Sequence, residues 1–326
     1  MRILILAAFV KIGTIHGMTH GLDECGIEWE GIPIKPHECP VNVRTEKFAE
    51  LVINKSSSFD TVFIGKGSPI PLNIFRRITE NCDTTYWTPD SVGGNGCGPP
   101  GRPEDVGARG LLCNRIICTG TEGSKWFREN GFRGRIAQIY QGCRHSLWKP
   151  GEYPRKDQDR ICFLGSGNYN GDGGRRAKLK ALANAGYKIF QSNKTYHRDA
   201  AETYWNSAIC PNFVCGDITS NRVVRILASG GFCLTESNVD IEHSFEDGEE
   251  LAIFKQKDIP DMLNQVAYYM ENPGLRESIA MCGHEWSKER TWTHQMDKMV
   301  RFIKGENIAA DGAAENYTNL WALNND

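Results

Sequence analysis

SNRVVRILASGGFCLTESNVDIEHSFEDGEELAIF, residues 220–254, is the stretch on which the reading of the fold turns. Ser220 or Asn221 stands where a helix cap is expected, ahead of an apolar run with helical spacing. Arg222 and Arg225 lie three apart and so share one helix face. Gly230 and Gly231 end that helix and feed a short apolar strand. Beyond the strand come an acidic, polar loop at 236–243 and a turn at Gly248. Ligands of open α/β sheets bind in loops beyond the carboxyl ends of strands, where this loop would lie. Packing alone does not require two arginines on one helix face, although helix arginines are commonly solvated.

Working back from this segment, ICFLGSGNYNGDGGRRAKLKAL at 161–182 has the same logic. A strand runs into a glycine-rich loop and then a helix that opens on Arg175 and Arg176. Gly165, Ser166 and Gly167 allow close backbone approach, and amides at a helix N-terminus favour anions. Paired arginines add the fixed positive charge that suits a diphosphate. The spacing is neither that of a P-loop nor G-x-G-x-x-G, and an ordinary turn with solvated arginines would read alike.

The rest of the chain alternates short apolar runs with helical patterns, the signature of parallel α/β sheets. Strands are predicted at 2–8, 61–65, 84–87, 115–119 and 135–140, with helices at 45–54, 72–81, 106–114 and 123–130 between them. Most of 11–40, and the Gly/Pro-rich 93–103, read as loops. Polar, Pro-containing residues 149–159 mark a boundary. After it the strand–helix pattern restarts and runs through helices at 258–271, 273–288 and 293–304. The predicted domains are 1–150 and 151–304, with a loosely packed polar tail at 305–326.

Composition narrows the function classes. In 326 residues, 40% hydrophobic and 24% charged with a net charge of −2, there is no global footprint for nucleic acid or an anionic membrane. The opening MRILILAAFV reads as a buried strand rather than a secretory signal. No run approaches the roughly 18 apolar residues of a membrane span. Twelve scattered cysteines without paired C-x-x-C knuckles read as reduced, structural thiols. The sequons at Asn54, Asn193 and Asn316 are then coincidental, and the expected location is cytoplasmic.

Residues 220–299 resemble the group 1 glycosyltransferases, in particular the branch related to spore-maturation CgeB-like proteins. The resemblance rests on Arg222, Leu227, Ala228, Gly230, Gly231, Phe232, Leu234 and Thr235, followed by Phe245, Gly248, Glu249 and Phe254. Tyr269, Asn272, Pro273, Arg276, Ile279, Ala280, Gly283, Thr291 and Trp292 then complete the pattern in order. The likeness is looser but collinear over 161–212, and fragmentary before that. It implies the α/β GT-B architecture, two Rossmann-like domains facing a cleft, with the acceptor on the N-terminal side and a nucleotide-sugar donor on the C-terminal side. It also implies metal-independent transfer with no cofactor beyond the donor substrate, the departing diphosphate being stabilised by arginines and helix N-termini.

The donor-binding candidates are Gly165, Ser166, Gly167, Arg175, Arg176, Ser220, Asn221, Arg222, Arg225, Glu236 and Glu249. One departure stands out. Arg225 occupies the place where relatives carry a glutamate that holds the donor ribose, and a cation cannot accept from hydroxyls. Either Glu236 or Glu249 holds the ribose instead, or the donor carries extra negative charge, or transfer has been lost.

The N-terminal segment KIGTIHGMTHGLDE places His16, His20, Asp23 and Glu24 after the first strand. A histidine or carboxylate there is the residue type that takes a proton from an acceptor hydroxyl. Asp90, in TPDS after a strand, is a further catalytic candidate beside His16, His20 and Asp23. His16 and His20 lack a clear third ligand, so no metal is expected. The acceptor is open: a small molecule, a glycan, a protein, or modified DNA. DNA would require a basic stripe, for which Arg128, Arg133, Arg135 and Arg144 with Trp126 and Trp148 are the candidates. A nucleotide-sugar-binding protein without turnover is the reading from another class.

Overall fold

The first strand, RILILA, is buried along nearly its whole length, as expected of a strand covered on both faces of a parallel sheet. Ile3, Ile5 and Ala7 enter one core and Leu4 and Leu6 the other, the period of two that divides the faces of a strand. The structure is a computed structural model and describes residues 1–10, 13–35, 37–90, 92, 101–166, 174–214 and 220–313.

The chain divides into two units. The first begins with β1 (Arg2–Ala7), α1 (Thr14–Glu24), β2 (Glu28–Pro33), α2 (Glu46–Ser56), β3 (Thr61–Gly65) and α3 (Leu72–Asn81). It continues with β4 (Thr84–Thr88), α4 (Arg102–Gly110), β5 (Arg115–Cys118), α5 (Thr121–Glu129) and β6 (Arg135–Gln138). Its six strands are parallel, in the order β2-β1-β3-β4-β5-β6.

The second unit contains β7 (Asp157–Leu164), α6 (Arg175–Asn184), β8 (Lys188–Ser192), α7 (His197–Asn206) and β9 (Ser207–Asn212). Then come α8 (Asn221–Ala228), β10 (Cys233–Glu236), α9 (Val239–Ser244), β11 (Ala252–Phe254), α10 (Ile259–Glu271) and α11 (Pro273–Ser287). Its five strands are also parallel, in the order β11-β10-β9-β7-β8.

The split falls at Gln141/Gly142, earlier than the polar segment at 149–159 suggests. The last helix, α12 (Trp292–Ile303), belongs to the first unit and not to the second, where the prediction put it. Its apolar face, with Trp292, Met296, Met299 and Val300, lies in the core beside Ile15, Met18 and Leu22 of α1. Periodicity identifies such a helix but does not name its partner.

The predicted loop at 11–40 contains α1 and β2. Gly17 and Gly21 look like loop residues, yet they sit on the helix face that meets α12. A Cβ at Gly17 would lie 2.1 Å from Trp292 Nε1, and one at Gly21 would lie 2.5 Å from the Trp292 carbonyl oxygen. The glycines serve close approach. The tail also departs from prediction in its first part. Asp311 is buried and accepts from the Tyr140 amide at 2.7 Å and from Gln295 Nε2 at 3.0 Å, which ties that segment to the first unit.

Among the described residues no helix is long and apolar enough to cross a membrane. The ten described cysteines are all unpaired, and most are buried. Burial pushes the thiols of Cys113, Cys118, Cys162 and Cys233 up to about 12, which keeps them neutral.

Candidate functional site

In the second unit β7 ends at Leu164, β9 at Asn212 and β10 at Glu236, and the residues just beyond them gather at the carboxyl edge of the sheet. Arg222, in the first turn of α8, is the centre of this edge. Its Nε donates to the Leu164 carbonyl at 3.0 Å and its Nη1 to Asn212 Oδ1 at 3.2 Å. Its guanidinium carbon lies 4.6 Å from the ring centre of Phe163. Burial pushes the Arg222 guanidinium below its usual value, while Tyr204, hydrogen-bonded to it, acts in the opposite direction. No carboxylate pairs with Arg222 among the described residues.

Arg175 opens α6 and lies over the same ring, 5.8 Å from its centre, with Nε 3.4 Å from the Phe213 carbonyl oxygen. Phe163 is itself stacked on Phe213 at 5.2 Å. Two guanidinium groups thus share one aromatic floor, an arrangement in which the ring faces offset part of their desolvation. Arg176, next along α6, is exposed.

At neither α6 nor α8 does the N-cap residue's side chain bond the first turn. Ser220 does occupy the N-cap position of α8, but its hydroxyl donates to Asn212 Oδ1 at 2.9 Å instead of accepting from the helix. Asn221 follows as the first helical residue. The first-turn amides of both helices therefore add partial positive charge to that of the arginines.

Gly165 and Ser166 lie in this edge, and Gly167 falls outside the described residues. Gly165 has φ +152°, and a Cβ there would come within 2.5 Å of Arg222 Nη2. The glycine makes room for the guanidinium.

The two glutamates offered for the ribose behave differently. Glu236 is buried at the end of β10, where three protein donors hold it. Its Oε2 accepts from the Val214 amide at 2.8 Å; its Oε1 accepts from the Lys257 amide at 3.0 Å and from Lys178 Nζ at 2.5 Å. It ties down the loops that follow β9 and β11. Glu249 is exposed and precedes β11, on the amino side of a strand whose Phe254 pairs with Glu236. The sheet does not bring Glu249 to the edge that holds Arg222. The acidic stretch at 236–243 is partly helical as α9, capped by Asn238 Oδ1 accepting from the Ile241 amide at 2.8 Å.

Arg225, one turn after Arg222, places its guanidinium 5.0 Å from the ring centre of Trp148, and its Nε has no hydrogen-bond partner among the described residues. Burial, and next to it the charge of Arg222, push this guanidinium down, while Tyr204 and Cys143 act against them.

In the first unit His16 is exposed in the first turn of α1, the turn that follows β1. His20 lies one turn further, its Nδ1 3.4 Å from Glu24 Oε1. Asp23 is at the other end of the helix, about 10 Å along the axis from His16, and accepts from Trp29 Nε1 at 2.7 Å. Glu24 is bonded to Thr293. The helix thus separates the predicted catalytic cluster, leaving His16 nearest the carboxyl end of β1. Asp90, after β4, faces Lys66 and Arg102, with Arg102 Nη2 2.8 Å from Oδ2.

Two of the four arginines of the predicted basic stripe are bonded to backbone carbonyls of the first unit. Arg128 donates to the carbonyls of Phe132 and Gly134, and Arg135 to those of Phe302 and Glu306. Trp126 packs against Phe127 at 5.3 Å, and Trp148 is buried. Among the described residues no group of three or more His, Cys, Asp or Glu is placed to hold a metal ion.

Residues 153–301, nearly all of the second unit, match the family model described as glycosyl transferase-like. That part of the chain is thus similar to a glycosyl transferase-like domain, and the likeness to solved structures concerns the fold of the whole chain. Its fold is that of the GT-B enzymes. It superposes on sucrose-phosphate synthase from Thermosynechococcus elongatus with TM-score 0.71 at 11% identity, covering 93% of this chain and 98% of that one. It superposes on Anabaena HepE, solved in complex with UDP, with TM-score 0.67 at 10% identity, covering 94% and 100%. A glycosyltransferase from Rickettsia africae matches with TM-score 0.66 at 11% identity, covering 93% and 98%. No curated protein matches the chain in sequence.

Sequence reasoning missed Phe163, Phe213, Asn212 and Lys178. All read as ordinary core or helix residues, and no local signal separates them from such residues.

Proposed function

We propose that the protein transfers a sugar from a nucleoside diphosphate sugar to an acceptor hydroxyl, the second unit holding the donor and the first presenting the acceptor. The observation that carries this reading is Arg222: a half-buried guanidinium held at the carboxyl edge by Leu164 and Asn212, stacked on Phe163 beside Arg175, with no carboxylate paired to it among the described residues. A charge held this way, beside the first turns of α6 and α8, suits a diphosphate. The likeness of residues 220–299 to the CgeB-like branch supports the same class.

In the reaction the bond between the anomeric carbon and the β-phosphate oxygen breaks, and its electron pair leaves with the diphosphate. Arg222, Arg175 and Arg176, with the helix amides, stabilise the charge that develops there without a metal. The acceptor oxygen forms the new glycosidic bond and gives up its proton. His16 is the candidate base that takes this proton, being exposed at the amino end of α1 just after β1.

The test is a thermal-shift panel of UDP, GDP, ADP and their sugar conjugates with wild type and Arg222→Ala. UDP comes first, because HepE was solved with it. A ligand that binds only the folded state raises its melting temperature. A shift for one nucleotide family, reduced in Arg222→Ala, is the expected result. No shift with any nucleotide would overturn the proposal.

A further inference from the structure

Arg225 is a half-buried cation without a counter-charge among the described residues. It lies one turn after Arg222 on α8, about 4.5 Å further along the helix axis. Its guanidinium makes no hydrogen bond or ion pair with any described residue, and its ring contact is the face of Trp148. Nε is sealed from solvent, while the terminal nitrogens keep access to it.

The groups packed around Arg225 supply no negative charge. Tyr204 and Cys143 are the two whose ionised forms would favour the cation. Burial pushes the Cys143 thiol up to about 12 and pushes the Tyr204 hydroxyl up as well, so both are neutral at ordinary pH. The neighbouring charge is that of Arg222, which is positive and likewise pairs with no carboxylate among the described residues. Two guanidinium groups one helical turn apart, with no counter-ion, cost the ligand-free protein stability. The ring of Trp148 offsets part of that cost but brings no charge. A methionine would pack on the same ring without desolvation or like-charge repulsion. Packing therefore does not account for an arginine here, whereas an anion that meets both guanidinium groups does.

We propose that Arg225 is a second phosphate-binding residue, so that Arg222 and Arg225 take one phosphate each of a nucleoside diphosphate. The assignment rests on the reading of the second unit as the donor side, and it divides the diphosphate between two successive turns of α8. Residues three apart share a helix face, and neighbouring phosphates are joined through a single oxygen, so the two side chains can face them in sequence. Each guanidinium offers its planar fork to non-bridging oxygens. Arg222, bonded to Leu164 and Asn212, is the fixed member of the pair. Arg225, held on the face of Trp148, is the member whose charge is satisfied when the ligand arrives. A nucleoside monophosphate leaves one guanidinium of the two unpaired, so the site favours the diphosphate.

The experiment is a calorimetric titration, at low salt, of the diphosphate selected by the thermal-shift panel, UDP first, and of inorganic pyrophosphate. Melting curves of the ligand-free proteins accompany it. Pyrophosphate should displace the nucleotide from wild type. Arg225→Met keeps an apolar stem on Trp148 and removes the charge; it should weaken the nucleotide and pyrophosphate fivefold or more each, while the ligand-free melting temperature holds or rises. An arginine kept for packing would do the opposite, its loss lowering the melting temperature and leaving the affinity unchanged. Arg225→Lys keeps the charge without the fork and should recover part of the loss. Where Arg225→Met does not fold, Arg225→Gln is read in the same way. A folded variant whose affinity falls less than fivefold would overturn the proposal. So would pyrophosphate that fails to displace the nucleotide from wild type, or a loss that pyrophosphate does not share, since Arg225 would then meet the nucleoside. Nucleotide binding that ignores Arg225 sinks this assignment alone; no diphosphate binding to wild type sinks the donor reading and this assignment with it.

Discussion

Replacing Arg222 by alanine tests the donor site most directly, and the structure sets the size of the effect. The guanidinium gives Nε to Leu164, one Nη1 proton to Asn212 and one bond to Tyr204. The protons that remain on the terminal nitrogens are those a diphosphate would meet. Two charge-assisted bonds at about 1.5–3 kcal/mol each set the upper range. Arg222 is only half-buried, so solvent screens part of this, and a net loss of about 2–3 kcal/mol is expected, or about 30- to 150-fold in Kd. Arg222→Lys keeps the charge but loses the planar fork and should fall between the two. Gly165→Ala reaches the same group without touching its charge, because the new Cβ would lie 2.5 Å from Nη2 on a backbone with φ +152°. It should weaken the nucleotide in the same direction. The assay is calorimetric titration of UDP, with melting curves run beside it to separate loss of binding from loss of fold. Wild-type affinity in a folded Arg222→Ala protein would refute the reasoning.

Other substitutions probe the scaffold. Gly17→Ala pushes a methyl to within 2.1 Å of Trp292 Nε1; overpacking of about 1–3 kcal/mol, offset by about 1 kcal/mol of helix propensity, predicts a net loss of up to about 2 kcal/mol in urea unfolding. Lys178→Met strands the buried Glu236 carboxylate and should cost about 3–5 kcal/mol by the same measurement, much of it recovered when Glu236→Gln is added. Burial raises the thiols of Cys113, Cys118, Cys162 and Cys233 from the ordinary value of 9.0 to about 12. In the folded state they hold protons that the unfolded chain releases, so their contribution is whole below pH 9 and is lost as pH rises towards 12. The urea midpoint, followed by circular dichroism, should fall steadily over that window.

Most of the strands were readable because parallel strands covered on both faces appear as continuous apolar runs: RILILA and TVFIG each carry that signature. Where reading failed, the cause was a distant partner. Gly17 and Gly21 weaken a helix taken alone, and their reason for being glycine is Trp292, far along the chain. The same holds at the site. Arg175 and Arg222 stood out as charges at strand–helix turns. Phe163 and Asn212 did not, since an interior strand residue looks the same whether it floors a site or fills a core. Glu236 was legible as an acid at a strand end, but its three donors come from α6 and two separate loops, and only the fold brings them together.

Arg225 gains its meaning from these placements. A guanidinium half-buried beside Arg222 meets both desolvation and a like charge, and both push it towards its neutral form. The face of Trp148, 5.0 Å away, offsets part of this without neutralising it. A glutamate at this position would have given the edge an acceptor for hydroxyls and a partner for Arg222. The arginine gives neither. Glu236 is committed to Lys178 and two backbone amides, and Glu249 lies before β11 on the amino side, so neither supplies the missing acceptor at this edge. Among the described residues, what remains is positive charge from Arg222, Arg175 and Arg225 with the first turns of α6 and α8. If the proposed donor binds here, its binding would draw its free energy from the phosphates and little from the ribose, and the nearness of Arg222 to Arg225 would make it more sensitive to ionic strength than a carboxylate-assisted site.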